Sequence, residues 1–153
     1  MVKVPTDIVH FLERQGFLIV STIDAAAFPH NSCKGMLKVE EDRVYLIDLY
    51  RSDTYRNLEQ NSLMSVSAVE EHPYQGYCLK GRGRIVRKEK ISPALLKEWR
   101  KKKTGRTTSR IIKNIQAERR NAIHPEAAFP EPDHLIIMEV EEIVDLAKYD
   151  KNG

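Results

Sequence analysis

The sequence predicts a small antiparallel β-barrel flanked by helices, which is a mainly β fold. Its 153 residues are close to the usual size of one domain, so we expect a single domain over residues 1–153. Five or six β-rich segments follow one another mostly through hairpin-like turns, and no strand–helix–strand repeat indicates a parallel sheet. Closing these strands into a barrel leaves no long sheet edge exposed.

The chain begins with a short amphipathic helix and three strands. Thr6 and Asp7 are capping residues in front of an apolar pattern that ends near Gly16. Three segments rich in β-branched and aromatic residues then predict the first three strands, because turn-like residues separate them. These strands cover residues 17–23, 31–39 and 43–48.

In the middle of the chain the spacing of the apolar residues changes from a helical period to the alternation of a strand. Tyr55 and Leu58 lie three positions apart in a polar segment, which predicts a short helix over 52–60 with Ser52 or Asp53 as its N-cap. Two further strands follow, and the second has one face rich in lysine and arginine that we expect to be solvated. They cover residues 63–69 and 76–86.

A helical insert is predicted at about residues 92–121. Ser92 followed by Pro93 indicates the start of its first helix, and a narrow isoleucine stripe predicts a second helix over 107–120. Residues 97–120 include ten basic and two acidic residues, a net charge of +8 that leaves −5 for the rest of the chain. We favour a solvated helical face here, and the alternative is a surface for nucleic acid or an acidic partner.

The chain ends with a sixth predicted strand. Prolines at positions 125, 130 and 132 indicate an extended connection to it. Apolar residues then occupy 135–140 and 143–146, which predicts a strand that bends at Glu141 and Glu142.

The composition favours a cytoplasmic protein. No apolar stretch is long enough to span a membrane, and the first residues lack a signal-peptide pattern. The two cysteines, Cys33 and Cys78, are far apart and have no metal-ligand spacing, so we expect neither a disulfide framework nor a local zinc site. Familiar catalytic motifs are absent, and the five histidines are scattered singly, so no catalytic residue is assigned. They stand at positions 10, 30, 72, 124 and 134.

Two segments could hold a ligand. After the third strand, Arg51, Ser52, Thr54 and Arg56 stand at the start of a helix, where free N–H groups favour an anion such as phosphate. The alternative for this segment is an ordinary N-cap with solvated arginines. In the second strand, Gly35 allows close approach of a flat ligand, Lys34 supplies a cation, and Cys33 is either a redox thiol or, as we favour, a packing residue.

In this order, the segments resemble the pyridoxamine 5′-phosphate oxidase-like family of flavin-binding split-barrel proteins. The resemblance covers about residues 8–88, and the last strand resembles the family's closing strand. The segments that carry it are 17–24 (FLIVSTID), 28–32 (FPHNS), 43–48 (RVYLID), 52–61 (SDTYRNLEQN), 63–68 (LMSVSA) and 77–86 (YCLKGRGRIV).

This resemblance implies a six-stranded antiparallel split barrel of the FMN-binding type. It also implies a homodimer with FMN in clefts between the two chains, and a flavin-dependent oxidoreductase whose small-molecule partner the residues do not identify. The implied ring or ribityl contacts are Ser32, Cys33, Lys34 and Gly35. The implied phosphate neighbours are Asp48, Ser52, Thr54 and Arg56, and Gln75 would present a polar side chain to the flavin.

The chain departs from the family pattern in its phosphate loop. Asp53 and Thr54 stand where family members commonly have cations, and Ser32 stands where the vitamin-forming oxidases have an arginine. Arg51, Arg56 or Lys34 would then supply the charge for the phosphate. Two alternatives stay open. One is a haem-binding relative with His72 or His124 as axial ligand, and the other is a non-catalytic module whose basic segment, 97–120, contacts nucleic acid.

Overall fold

The computed structural model describes residues 1–116 and 131–148. Its six strands form a closed antiparallel barrel in the order β1-β2-β3-β6-β5-β4, so the predicted mainly β barrel is confirmed. The strands are β1 (Leu18–Ile23), β2 (Pro29–Glu40), β3 (Arg43–Asp48), β4 (Leu63–Glu70), β5 (Gln75–Arg87) and β6 (His134–Asp145). The helices are α1 (Thr6–Arg14), α2 (Asp53–Gln60) and α3 (Pro93–Gln116), with a short 3₁₀ turn at Lys88–Lys90.

The barrel interior is a single apolar cluster on which α1 packs. Inward-pointing residues of the strands, such as Val20 and Val44, are fully buried, and Phe11 and Leu12 of α1 join them. The prediction that a side chain caps α1 is wrong, because Pro5 occupies the N-cap position and makes no such bond. Packing of the amphipathic face therefore holds α1 in place.

The bend predicted in the last strand is a β-bulge. Gly81 of β5 pairs with Val140 and its neighbour Lys80 pairs with Glu142, so Glu141 has no direct partner. Lys80 and Arg82 point outward, as predicted for this face, and form ion pairs with Glu142 and Glu141.

The helix α3 covers the outside of the sheet formed by β2, β3 and β6. A second bulge, at Leu37 of β2, turns this side chain into an outer apolar cluster that includes Trp99 of α3. The strand β3 is therefore buried on both faces, which explains its continuous apolar run. The cluster comprises Leu37, Tyr45, Ile47, Ile91, Trp99, Leu135 and Ile137.

The prediction of two separate helices in the insert is wrong. One helix runs from Pro93 to Gln116 through Gly105, and no described atom lies near the space that a Cβ at Gly105 would occupy. Residues 117–120, His124 and two of the three prolines lie outside the described residues. No helix within the described part of the chain is long and apolar enough to cross a membrane.

Candidate functional site

A cavity of about 340 Å³ lies between β2, the end of β3 and α3. The middle of β2 forms one wall, the residues that follow β3 form a second, and one turn of α3 forms a third. This size is at the lower end of the range of small-molecule pockets. The described residues that line it are Gly16, Phe17, Cys33, Lys34, Gly35, Met36, Ile47, Asp48, Leu49, Tyr50, Trp99, Lys102 and Lys103.

A buried ion pair forms the polar end of this cavity. The Nζ of Lys34 lies 2.7 Å from Oδ1 of Asp48 and 3.5 Å from Oγ of Ser52. Only 9% of the Lys34 side chain and 4% of the Asp48 side chain are exposed. Because Gly35 pairs with Ile47, the strand register itself places Lys34 opposite Asp48. The pair therefore holds one ammonium and one carboxylate group in fixed positions at this end of the cavity.

Behind Asp48 lies His134, which is completely buried at the start of β6 and pairs with Asp48 in register. Its Nε2 is 3.1 Å from Oδ2 of Asp48, and its Nδ1 is 3.0 Å from Oδ2 of Asp133. The edge of the His134 ring packs against Tyr55 of α2, with ring centroids 4.8 Å apart. The imidazole is therefore fixed between two carboxylates.

Asp133 connects this buried group to the surface. Arg51 Nε donates to Oδ2 of Asp133 at 3.1 Å, and the guanidinium lies over the Tyr55 ring. The hydrogen bond to His134, together with that from Arg51, lowers the pKa of Asp133 below its ordinary value. In turn, the hydrogen bond to Asp133 and its negative charge raise the pKa of Arg51.

The structure brings several of the predicted site residues together in pairs. Ser32 and Thr54 share a hydrogen bond of 2.8 Å between their hydroxyl groups, and Thr54 is completely buried. Ser52 stands at the N-cap of α2, as predicted, but its side chain makes no cap hydrogen bond. Its hydroxyl oxygen lies 3.5 Å from the Lys34 Nζ instead, beside the polar end of the cavity but not in its lining.

Four of the predicted site residues line the cavity, namely Cys33, Lys34, Gly35 and Asp48, and the other six do not, namely Ser32, Arg51, Ser52, Thr54, Arg56 and Gln75. Arg56 is exposed on α2 and pairs with Asp53, three positions earlier. Gln75 begins β5, where it is exposed and pairs with Glu70 of β4. Cys33 is an exposed free cysteine in the cavity wall.

Sequence reasoning did not find the part of the wall that α3 contributes. The Nζ of Lys102 donates to the carbonyl oxygens of Met36 and Leu37, the latter at 3.2 Å, and Lys103 lies over the Trp99 ring. The cluster of basic residues at 97–120 could have indicated this wall, but we interpreted it as a solvated helical face. His134 was also missed, since nothing in its sequence neighbourhood indicates a buried partner.

Comparisons with known proteins point to one family. A family model for pyridoxamine 5′-phosphate oxidase matches residues 4–143. HupZ from Group A Streptococcus has a similar structure, with a TM-score of 0.66 and 16% identity over 98% of this chain and 99% of that one. A pyridoxamine 5′-phosphate oxidase-related, FMN-binding protein from Nostoc punctiforme has a TM-score of 0.60 and 13% identity over 92% and 80% of the two chains.

A protein named F420 reductase is also similar, with a TM-score of 0.57 and 16% identity over 92% of this chain and 98% of that one. No match was found among curated proteins.

Proposed function

Because the chain belongs to the pyridoxamine 5′-phosphate oxidase family, we propose that it binds FMN in this cavity and is a flavin-dependent oxidoreductase. The observation that carries the proposal is the buried Lys34–Asp48 pair at the edge of a cavity lined by residues 33–36 of β2. A bound flavin would supply the hydride or electron transfer, while the protein binds and orients it. We expect a small-molecule redox partner and a reducing compartment such as the cytoplasm, since both cysteines are free.

The residues around the cavity fit an anionic, planar ligand. The charged residues that line it are Lys34, Lys102 and Lys103 against Asp48, a surplus of two positive charges, and Cys33 and Gly35 provide a strand surface along which a ring can lie. Ser52 and Arg51 lie near the polar end, where we place the phosphate. The hydrogen bond between Ser32 and Thr54 connects β2 to the start of α2, next to these residues. Under this proposal, residues 1–153 form one domain in which α3 belongs to the insert at about 92–121.

We further propose a homodimer with the flavin between the two chains. Phe17 and Tyr50 line the cavity yet are 57% and 61% exposed, so the cavity is open where a second copy would cover it. Gln75 and Arg56 do not reach the cavity of their own chain. Gln75 therefore joins the site only if it comes from the second chain.

The alternatives have less support. No histidine is among the described residues that line the cavity, and His72 lies in the turn between β4 and β5, which weighs against haem held by that residue. His124, the other predicted haem ligand, lies outside the described residues. Lys102 and Lys103 of the basic segment face this cavity, so part of the segment's charge belongs to the site, which disfavours the nucleic-acid module. A deazaflavin is the second candidate, because a similar structure is named F420 reductase.

The first experiment is an absorption spectrum of the purified protein, repeated after addition of FMN, F420 or haemin and removal of the excess by gel filtration. We expect retained FMN bands. If the protein retains F420 or haemin but not FMN, that compound becomes the assigned ligand. If it retains none of the three, the proposal that the protein binds a cofactor is rejected.

A double variant tests the polar end. Lys34→Met with Asp48→Asn removes both charges without leaving either one buried alone. We expect FMN affinity to fall about tenfold or more, because a hydrogen bond to a charged group is worth roughly 1.5–3 kcal/mol. The matched control, Lys80→Met with Glu142→Gln, removes an exposed ion pair outside the cavity and should leave the affinity unchanged. Equal affinities in the two double variants would reject this placement of the phosphate.

A further inference from the structure

A loop beside the polar end of the cavity depends on the short helix α2 for its position. The loop 49–52 joins β3 to α2 and carries Arg51 and Ser52, near which we place the phosphate. The barrel fixes the first end of this loop, because β3 pairs with a strand on each side. At the second end, the backbone N–H of Arg56 in α2 donates to the Ser52 carbonyl oxygen at 3.2 Å. The loop is therefore placed only as well as α2 is.

The helix α2 cannot hold this position by itself. It has eight residues, and only Tyr55 and Leu58 among them are apolar. Helices this short are unstable in water unless the rest of the fold packs on them. Both apolar side chains are buried, but apolar contacts have no direction, so they tolerate a small slide or rotation of the helix. A directional contact is needed to select one position.

Two buried hydrogen bonds supply that direction. Nδ2 of Asn57 donates to Oγ1 of Thr22 on β1 at 3.0 Å. The hydroxyl groups of Thr54 and Ser32, on β2, are 2.8 Å apart. Thr54 and Asn57 lie three positions apart and so share one face of α2, and their partners lie on neighbouring strands. Both residues of α2 are at most 7% exposed, so a displaced helix would leave buried polar groups unpaired, which is costly.

Of these two bonds, the one between Asn57 and Thr22 acts only through the helix. Thr54 and Ser32 are themselves expected near the phosphate, whereas neither Asn57 nor Thr22 is among the residues that line the cavity. We propose that Asn57 is a positioning residue, whose hydrogen bond to Thr22 fixes α2 and thereby the loop that holds the phosphate of the ligand. This inference rests on the proposed function, because it takes FMN as the ligand. It predicts that the bond affects binding of FMN and has little effect on riboflavin, which lacks the phosphate.

A double variant removes the bond without leaving either group unpaired. Thr22→Val with Asn57→Leu replaces both partners by apolar groups of similar shape, which is nearly neutral for folding. We expect FMN affinity to fall about tenfold, the loss of roughly one hydrogen bond to a charged group, and riboflavin affinity to stay unchanged. If the double variant does not fold, Asn57→Ala is measured in its place, because it removes the buried amide itself.

Two controls separate the hydrogen bond from other effects of substitution. Ser21→Val with Asn31→Leu removes a bond between the same kinds of group, 2.6 Å long, which is exposed and joins β1 to β2 outside the cavity lining. Thr22→Ser keeps the hydroxyl of the buried bond. Both controls should bind FMN and riboflavin as the native protein does. The full loss of FMN affinity in Thr22→Ser would show that packing at position 22 is responsible, and would overturn the proposal.

The hold on the helix can be measured without any ligand. The amides of residues 56–60 lie within α2, and in the Thr22→Val, Asn57→Leu variant they should exchange with solvent about tenfold faster than in the native protein. Amides of β3 should exchange at the native rate. If exchange in α2 is the same in the two proteins, Asn57 does not fix the helix, whether or not FMN binds.

The outcomes distinguish this proposal from the proposed function. Equal losses of affinity for FMN and riboflavin would indicate general destabilisation, and no loss for FMN would show that the loop keeps its place; either result rejects the positioning role. Native protein that binds neither compound would reject the proposed function instead, and hydrogen exchange would still decide whether Asn57 fixes α2.

Discussion

Gly81 lies where the backbone of β6 passes very close to β5. A Cβ placed there would lie 1.8 Å from the carbonyl oxygen of Glu139, a backbone atom that cannot rotate away. We expect Gly81→Ala to lower the free energy of unfolding by about 1–3 kcal/mol or more, because the bulge opposite must shift to accept a methyl group. Urea unfolding of the purified protein measures the loss.

The same substitution at Gly105 provides the control. Since nothing described lies within 4 Å of a Cβ at that position, Gly105→Ala should stabilise the chain by up to about 1 kcal/mol through helix propensity alone. A similar change in the free energy of unfolding at both positions would mean that the close contact with Glu139 does not exclude a side chain at position 81.

At the level of elements, Lys102 fixes α3 to the barrel. Its ammonium donates to two carbonyl groups at the β2 bulge, next to the buried Trp99. Lys102→Met retains the apolar stem and removes the donors, so we expect amides of residues 94–104 to exchange with solvent about tenfold faster. The exposed Lys101→Met is the matched control. Unchanged exchange in Lys102→Met would mean that the apolar cluster alone holds the helix.

The strands could be predicted because their signals are local. Alternation along β5, for example, separates a buried face from a charged one, and the predicted bounds of all six strands differ from the observed ones by two residues at most. The helical insert could not be predicted as well. The break predicted before residue 107 is absent, because the cost of about 1 kcal/mol for Gly105 is tolerated within a long helix.

The site was only partly predictable, because long-range register assembles it. The sequence singled out Lys34 and Asp48, and the pairing of β2 with β3 brings them together. His134 gave no signal, since its partner is set by the pairing of β3 with β6. Trp99 lies in the cavity wall because α3 packs on the outer apolar cluster, which residues from three strands form.

For the whole molecule, the open side of the cavity determines whether one chain makes a complete site. The exposed Phe17 and Tyr50 lie at this opening, next to the buried Lys34–Asp48 pair. A flavin bound by one chain alone would keep part of its surface in solvent, while small-molecule sites usually bury most of the ligand. A second copy over this face would cover both aromatic rings and exclude water from the polar end.

If the proposed homodimer forms, light scattering should give a mass in solution of about twice 17.7 kDa. Phe17→Glu should produce monomers and lower FMN affinity together, because a carboxylate buried without a partner opposes the interface. Phe28→Glu alters an aromatic residue that is also exposed, 68% against 57% for Phe17, but lies in the turn after β1 and does not line the cavity, so it should change neither the mass nor the FMN affinity. Monomeric native protein that still retains FMN would show that one chain completes the site, and the exposure of Phe17 would then need another cause.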